Sequence, residues 1–143
     1  MKIENYISSS PLFATLAASQ RVVRVFRQEF GDLNHLQAIV LVALYFDRGK
    51  TNNPSHLSQV LHVSPAAISQ AITALQKRKF VRRETMASDA RRFNLLVTSA
   101  GVQRVQKLIR VFDIVQFKLE ETLGAARTRQ MAKDISDLVN YLE

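Results

Sequence analysis

The 143 residues contain no cysteine, which excludes a disulfide framework, a thiolate metal site and a thiol-based redox switch. Long apolar runs are also missing. The most apolar stretch, Leu36 to Phe46, is 11 residues with Gln37 its one polar member, against the roughly 20 that a membrane-spanning helix needs. No membrane partner is expected. The stretch MKIENYISSS lacks a basic segment followed by an apolar core, so no secretory signal is expected and cytoplasmic residence is the default. There is no glycine-rich phosphate loop, nucleophile elbow or HExxH pattern. His35, His56 and His62 are scattered, and the last two, read on one short helix, fall on different faces and cannot share a metal. The expectation is therefore no catalytic residue, no metal, no cofactor and no enzymatic activity.

Acid is the scarce charge, with 12 acidic residues against 20 basic ones and a net charge of +8. Such an excess favours polyanionic partners, nucleic acid first among them. Size and composition are those of one folded domain, 47% apolar and long enough to bury a core without covalent staples.

What is present centres on Val63 to Gly101. Ser64 can accept a hydrogen bond from a first-turn amide, and Pro65 lacks the N–H that would go unsatisfied there, so a helix starts sharply at this point. Ile68, Ile72 and Leu75 recur at i, i+4, i+7 and must be buried, which turns Ala66, Gln70, Thr73 and Lys77 to the other side. Phe93, Leu95 and Val97 then alternate with Arg92, Asn94 and Leu96, the period of a strand with one covered face, and Met86 to Ala90 reads as the polar loop of a hairpin. From Ser64 to Val97 seven cations (Lys77, Arg78, Lys79, Arg82, Arg83, Arg91, Arg92) face two acids (Glu84, Asp89), which places +5 of the +8 here. A slim polar helical face among concentrated cations suits the major groove of double-stranded DNA: amides and hydroxyls read base edges while Lys and Arg displace counterions from phosphate. The plainer interpretation is a solvated basic helix and hairpin with no partner.

The flanks complete a helical frame. Ser10 and Pro11 open a helix carrying Leu12, Leu16, Val23, Phe26 and Phe30, with Arg21, Arg24 and Arg27 on another side and Gly31 at its end. Asn34 with Gln37 resembles a capping pair for Leu36 to Phe46, which is apolar on every side and expected to be enclosed. Lys50 to Asn52 could supply an edge strand. Asn53 and Pro54 open a short helix with Leu57, Val60 and Leu61 inward, followed within three residues by the helix at Ser64, so the pair forms a helix-turn-helix. Thr98 caps a long helix with Val102, Val105, Leu108, Ile109, Phe112, Val115 and Leu119, and a last helix carries Met131, Ile135, Leu138, Val139 and Leu142. These end helices hold more apolar surface than a winged helix covers, which points to a second copy of the chain or to an intramolecular cap. The division expected is a dimerisation helix in 1–32, a winged helix-turn-helix in 33–98 and dimerisation helices in 99–143. The fold class is mostly α with a small β wing.

The order of helices, together with LSQVLHVSPAAISQAITALQKRKFVRRE, Asp89-x-Arg91 and LLVTSAG ending at Gly101, resembles the MarR family of winged-helix transcription regulators over essentially the whole chain. The resemblance implies a homodimer on a near-palindromic operator. Ser64, Ala66, Ala67, Ser69, Gln70 and Thr73 would face DNA, Lys77 would reach phosphate, and Arg91 would enter the minor groove, with Asp89 orienting it and Arg92 beside it in the wing. The function implied is transcription regulation, as a repressor released by a small aromatic ligand. His35, Leu36, Ile39, Tyr45 and Phe112 could line a cleft for that ligand, although each reads more readily as plain core or helix end. Two positions depart from the family: Lys79 stands where a glycine is frequent, and Gln70 where a basic residue is. Rival readings are an adaptor or antagonist that binds another protein, and a nucleic-acid binder without sequence preference.

Overall fold

The computed structural model describes residues 2–47, 54–86 and 89–142, with side chains at all of these except 86–93. Seven helices and two strands follow in the order α1 (Ile3–Ser9), α2 (Pro11–Phe30), α3 (His35–Phe46), α4 (Pro54–Leu61), α5 (Pro65–Lys77), β1 (Val81–Met86), β2 (Asp89–Val97), α6 (Ser99–Leu123) and α7 (Ala125–Tyr141) among the described residues. They form two compact units: one is residues 29–109, the other residues 1–28 with 110–143.

In the 29–109 unit the core is built from α3, α4, α5, the two strands and the first turns of α6. Leu41, Leu44, Leu57, Ile68, Ile72, Leu75, Leu95, Val105 and Leu108 are fully buried. The local reasons for the helices are polar as much as apolar. Asn34 Oδ1 accepts from Gln37 N at 2.8 Å while Gln37 Oε1 accepts from Asn34 N at 3.2 Å, a reciprocal capping box that starts α3. Between α4 and α5 the chain turns through His62 at φ 51°. The Ser58 hydroxyl closes this turn by donating to the Val63 carbonyl at 2.6 Å. His62 therefore lies in the turn, and not on the helix that carries His56.

Helix α5 ends in a Schellman motif: Phe80 N donates to Leu75 O at 3.0 Å and Lys79 N to Gln76 O at 2.9 Å. The left-handed residue of this motif is Lys79, at φ 61°. Lys79 itself thus takes the conformation that glycine adopts most readily, at the usual penalty for a Cβ in this region. Lys79→Gly should raise stability by about 0.5–1 kcal/mol, read as a higher urea midpoint with unchanged slope.

The wing is a two-stranded antiparallel hairpin in which Val81 faces Val97 and Thr85 faces Phe93. Pairing then steps irregularly to Met86 opposite Asp89, so residues 90–92 of β2 pass through a bulge between these two pairs. The polar loop expected from Met86 to Ala90 is accordingly shorter, since Met86, Asp89 and Ala90 belong to strands. Two burial expectations are also corrected. Val60, expected inward on α4, is 51% exposed, and α3 is not enclosed on every side, with Ile39 and Phe46 reaching solvent. The possible edge strand at Lys50 to Asn52, and the Asn53 cap, lie outside the described residues.

In the other unit, Ser10 Oγ accepts from Phe13 N at 3.4 Å at the start of α2, and the rings of Phe26 and Phe112 stack with centroids 4.4 Å apart. Thr128 is buried near the start of α7, its hydroxyl donating to Gly124 O at 3.0 Å. Leu12, Leu16, Ile114, Phe117, Ile135 and Leu142 remain exposed. Among the described residues no helix is long and apolar enough to cross a membrane.

Candidate nucleic-acid interface

Helix α5 presents two unlike faces. Ile68, Ala71, Ile72 and Leu75 are buried, so packing fixes the rotation of the helix about its axis. Its start is fixed by Ser64, whose Oγ accepts from Ala67 N at 3.3 Å, with Pro65 in the first turn. The opposite side exposes Ala66, Ser69, Gln70, Thr73 and Lys77, with Ser64 exposed at the cap and Ala67 half-buried. Ser69, Gln70, Thr73, Ala74, Lys77 and Arg78 line an open groove of about 450 Å³.

The hydrogen-bonding character of this face is specific. The Thr73 hydroxyl donates to Ser69 O at 2.9 Å, so toward solvent Thr73 offers a methyl group and an acceptor oxygen. The Gln70 amide makes no hydrogen bond to any described residue, leaving its carbonyl and its NH₂ group available as an acceptor–donor pair. Lys77 sits in the last turn, beyond Thr73.

Not every cation counted from the sequence belongs to that face. Arg78 Nε donates to Asp32 Oδ2 at 2.8 Å and Arg78 Nη2 to the Asp32 main-chain carbonyl at 2.9 Å, which turns the guanidinium toward the α2–α3 connection. Arg104, on α6, donates from Nη2 to Phe30 O at 2.5 Å and to Asp32 Oδ1 at 3.3 Å. The hydrogen bond from Arg78, helped by the charges of both arginines, holds the Asp32 carboxyl below its ordinary range against a smaller opposing effect of burial. On β1, Arg82 pairs with Glu84 at 3.5 Å. Asp32 was not foreseen as part of this region. Its partners are 46 and 72 residues away, and no local pattern signals such a pairing.

In the wing, Asp89, Arg91 and Arg92 are placed by their backbone in β2, and their side chains lie outside the described ones. Of the residues considered for a ligand cleft, His35, Leu36, Ile39 and Tyr45 are all on α3 in the 29–109 unit, with His35 and Ile39 exposed, whereas Phe112 belongs to the other unit and stacks on Phe26. No group of three or more metal-ligating side chains converges among the described residues.

With this geometry in place, comparison with known proteins decides the family of the central segment: residues 32–92 match the model of the MarR family. Residues 32–92 are a MarR-family winged helix. Over more than nine-tenths of its length the chain is similar in fold to solved structures, of which three serve as examples. The Staphylococcus aureus MepR–DNA complex superposes with a TM-score of 0.81 at 19% identity, covering 94% of this chain and 97% of that one. A "probable transcriptional regulator" of Pseudomonas aeruginosa gives 0.75 at 20% identity, covering 92% and 98%. MepR itself, a transcription regulator of the S. aureus multidrug efflux pump MepA, gives 0.67 at 21% identity, covering 92% and 96%. No curated protein matches the chain. The MarR-family winged helix thus includes Asp32, the whole of α5 and β1, and the backbone of the Asp89-x-Arg91 motif.

Proposed function

We propose that this chain is a homodimeric, sequence-specific DNA-binding transcription regulator that acts in the cytoplasm as a repressor. The observation that carries the reading is the division of α5 into a fully buried apolar side and an exposed side bearing Ser69, Gln70, Thr73 and Lys77. A helix so divided fits the major groove, and its seating on α3 and α4 is the arrangement by which a helix-turn-helix delivers its second helix. MepR, of the same fold, has been seen in complex with DNA.

In this reading Gln70 pairs bidentately with an adenine edge, the Thr73 methyl and acceptor meet a thymine methyl or an amino group, and Lys77 contacts phosphate. Ser64, Ala66, Ala67 and Ser69 approach the same groove. Arg91 inserts into the minor groove, favouring A·T-rich flanks, with Asp89 orienting it and Arg92 near the backbone. Two copies of the chain, joined through the terminal helices, place two α5 helices on successive major grooves of a near-palindromic site. Release by a small aromatic ligand, with His35, Leu36, Ile39 and Tyr45 of α3 among its contacts, is the regulatory part of the proposal.

The test is a competition titration of a selected duplex against random duplex at two salt concentrations. A preference of tenfold or more, with a steep loss of affinity as salt rises, is the expected result. Gln70→Ala should cost about 1–3 kcal/mol on the preferred site and relax the base preference at one position, whereas Arg91→Ala should weaken binding with little change in preference. Equal binding of every duplex with one salt slope would establish the non-specific reading, and no binding at physiological salt with a stoichiometric protein complex would establish the adaptor reading.

A further inference from the structure

Asp32 holds two arginines with one carboxylate. Oδ2 takes Arg78 Nε at 2.8 Å and Oδ1 takes Arg104 Nη2 at 3.3 Å, while the same Arg104 nitrogen donates to Phe30 O at 2.5 Å. The end of α2, the C-cap of α5 and the body of α6 therefore meet at a single exposed anion. Arg78 has a second identity: it is a wall of the groove lined by Ser69, Gln70, Thr73 and Lys77. Its guanidinium is nevertheless committed to Asp32 on two atoms and to Ala74 O at 3.4 Å, and its side chain is 32% exposed. An arginine at the rim of a DNA-facing groove would otherwise be free to reach phosphate.

We infer that Asp32 is a positioning residue for DNA recognition: it pins the C-terminal end of α5 and holds the Arg78 guanidinium away from the phosphate backbone. The inference rests on the DNA-binding reading given above. Two guanidinium groups drawn to one carboxylate repel each other once its charge is gone. Arg104 keeps the Phe30 carbonyl, and Arg78 keeps the main-chain carbonyls of Asp32 and Ala74, but the shorter of the two carboxylate bonds, 2.8 Å from Arg78 Nε against 3.3 Å from Arg104, is the one weakened most, so the Arg78 guanidinium loosens. Its loosening has two effects on binding. The end of α5 loses its fixed angle, which weakens contacts that depend on register, and the groove gains a mobile cation that attracts any duplex alike. Both lower the ratio of specific to random affinity.

The experiment compares wild type, Asp32→Asn, Arg78→Gln and the double variant on a duplex selected by the wild-type chain from a random pool and on random duplex, at several salt concentrations. Asp32→Asn should lower the specific-to-random ratio on the order of tenfold and steepen the slope of log K against log salt on random duplex by about one. Arg78→Gln should lower specific affinity without steepening, and the double variant should lose the steepening. Amide exchange at Arg78 to Phe80 should quicken in Asp32→Asn, with urea midpoints showing that all four proteins are folded. A selective wild type whose Asp32→Asn variant keeps both the ratio and the slope overturns the inference while leaving the DNA reading intact. A wild type that binds all duplexes alike overturns the DNA reading and the inference with it.

Discussion

Gly101→Ala is expected to destabilise the protein by about 3 kcal/mol, the upper end of ordinary overpacking, and to lower the melting temperature by roughly 10 °C. A Cβ at this position would lie 2.2 Å from the carbonyl oxygen of Phe80 and 2.7 Å from Val97 Cγ1. The first of these is backbone that cannot simply rotate away. Phe80 O already accepts from Thr98 N at 2.9 Å, and the Thr98 hydroxyl donates to Lys79 O at 2.7 Å while accepting from Gly101 N at 3.1 Å. The start of α6, the end of α5 and the root of the wing are therefore locked together within one turn. To admit a methyl group, either α6 moves off β2 or the corner after α5 opens, and the second shift also disturbs the end of the helix proposed to read DNA. Gly124→Ala supplies the control. There φ is +83° and ψ 145°, a backbone conformation kept almost to glycine, with nothing within 4 Å of the added carbon, so only conformational strain applies, about 1–3 kcal/mol. Chemical denaturation of both variants separates collision from strain. A Gly101→Ala protein as stable as wild type would show that the junction is looser than its distances imply.

The same junction illustrates what a single sequence conveys. Thr98, Ser64 with Pro65, and Asn34 with Gln37 are legible because each cap is a bargain among residues three or four apart, and the structure places the matching hydrogen bonds on all three. The buried side of α5 is legible because period and covering coincide: Ile68, Ile72 and Leu75 are all fully buried. The polar side of the proposed interface follows from it by exclusion. Apolarity alone misleads at Val60, Ile39 and Phe46, since a pattern says that a face could be covered without saying that this chain covers it. The Asp32–Arg78–Arg104 cluster carried no local signal. Its members are ordinary surface charges until the helices bring them together, and counting Arg78 among groove cations missed that its guanidinium is engaged. Lys79 is a milder case, because a left-handed turn filled by a lysine is set by the hydrogen bonds at the end of α5 and by the need to enter β1, and a residue code favouring glycine hides it.

The exposed apolar residues of the terminal helices lead to the second large effect. Ile114 and Phe117, on the part of α6 assigned to the unit of residues 1–28 and 110–143, are 52% and 61% exposed within one chain. Covering a side chain of this size is worth about 1.5–3 kcal/mol when complete, and in a two-fold assembly every such contact occurs twice. In the homodimer proposed above, allowing half of that for their partial exposure, two covered positions on two chains would contribute about 4 kcal/mol, on the order of a thousandfold in the dissociation constant. Replacing both with glutamate removes this term and adds the cost of desolvating carboxylates. Ile114→Glu/Phe117→Glu should therefore sediment as a monomer at micromolar concentrations where the wild type sediments as a dimer, with the 29–109 unit still folded by circular dichroism. On DNA the consequence should be selective. A lone α5 still engages one half-site, but the benefit of a second half-site about one helical turn away disappears, so the variant should no longer distinguish a near-palindrome from an isolated half-site. A wild-type chain that is itself solitary at these concentrations would remove the basis for paired recognition helices. A double variant that stays dimeric would move the interface to the other exposed residues, Leu12, Leu16, Ile135 and Leu142, on α2 and α7 and at the end of the chain.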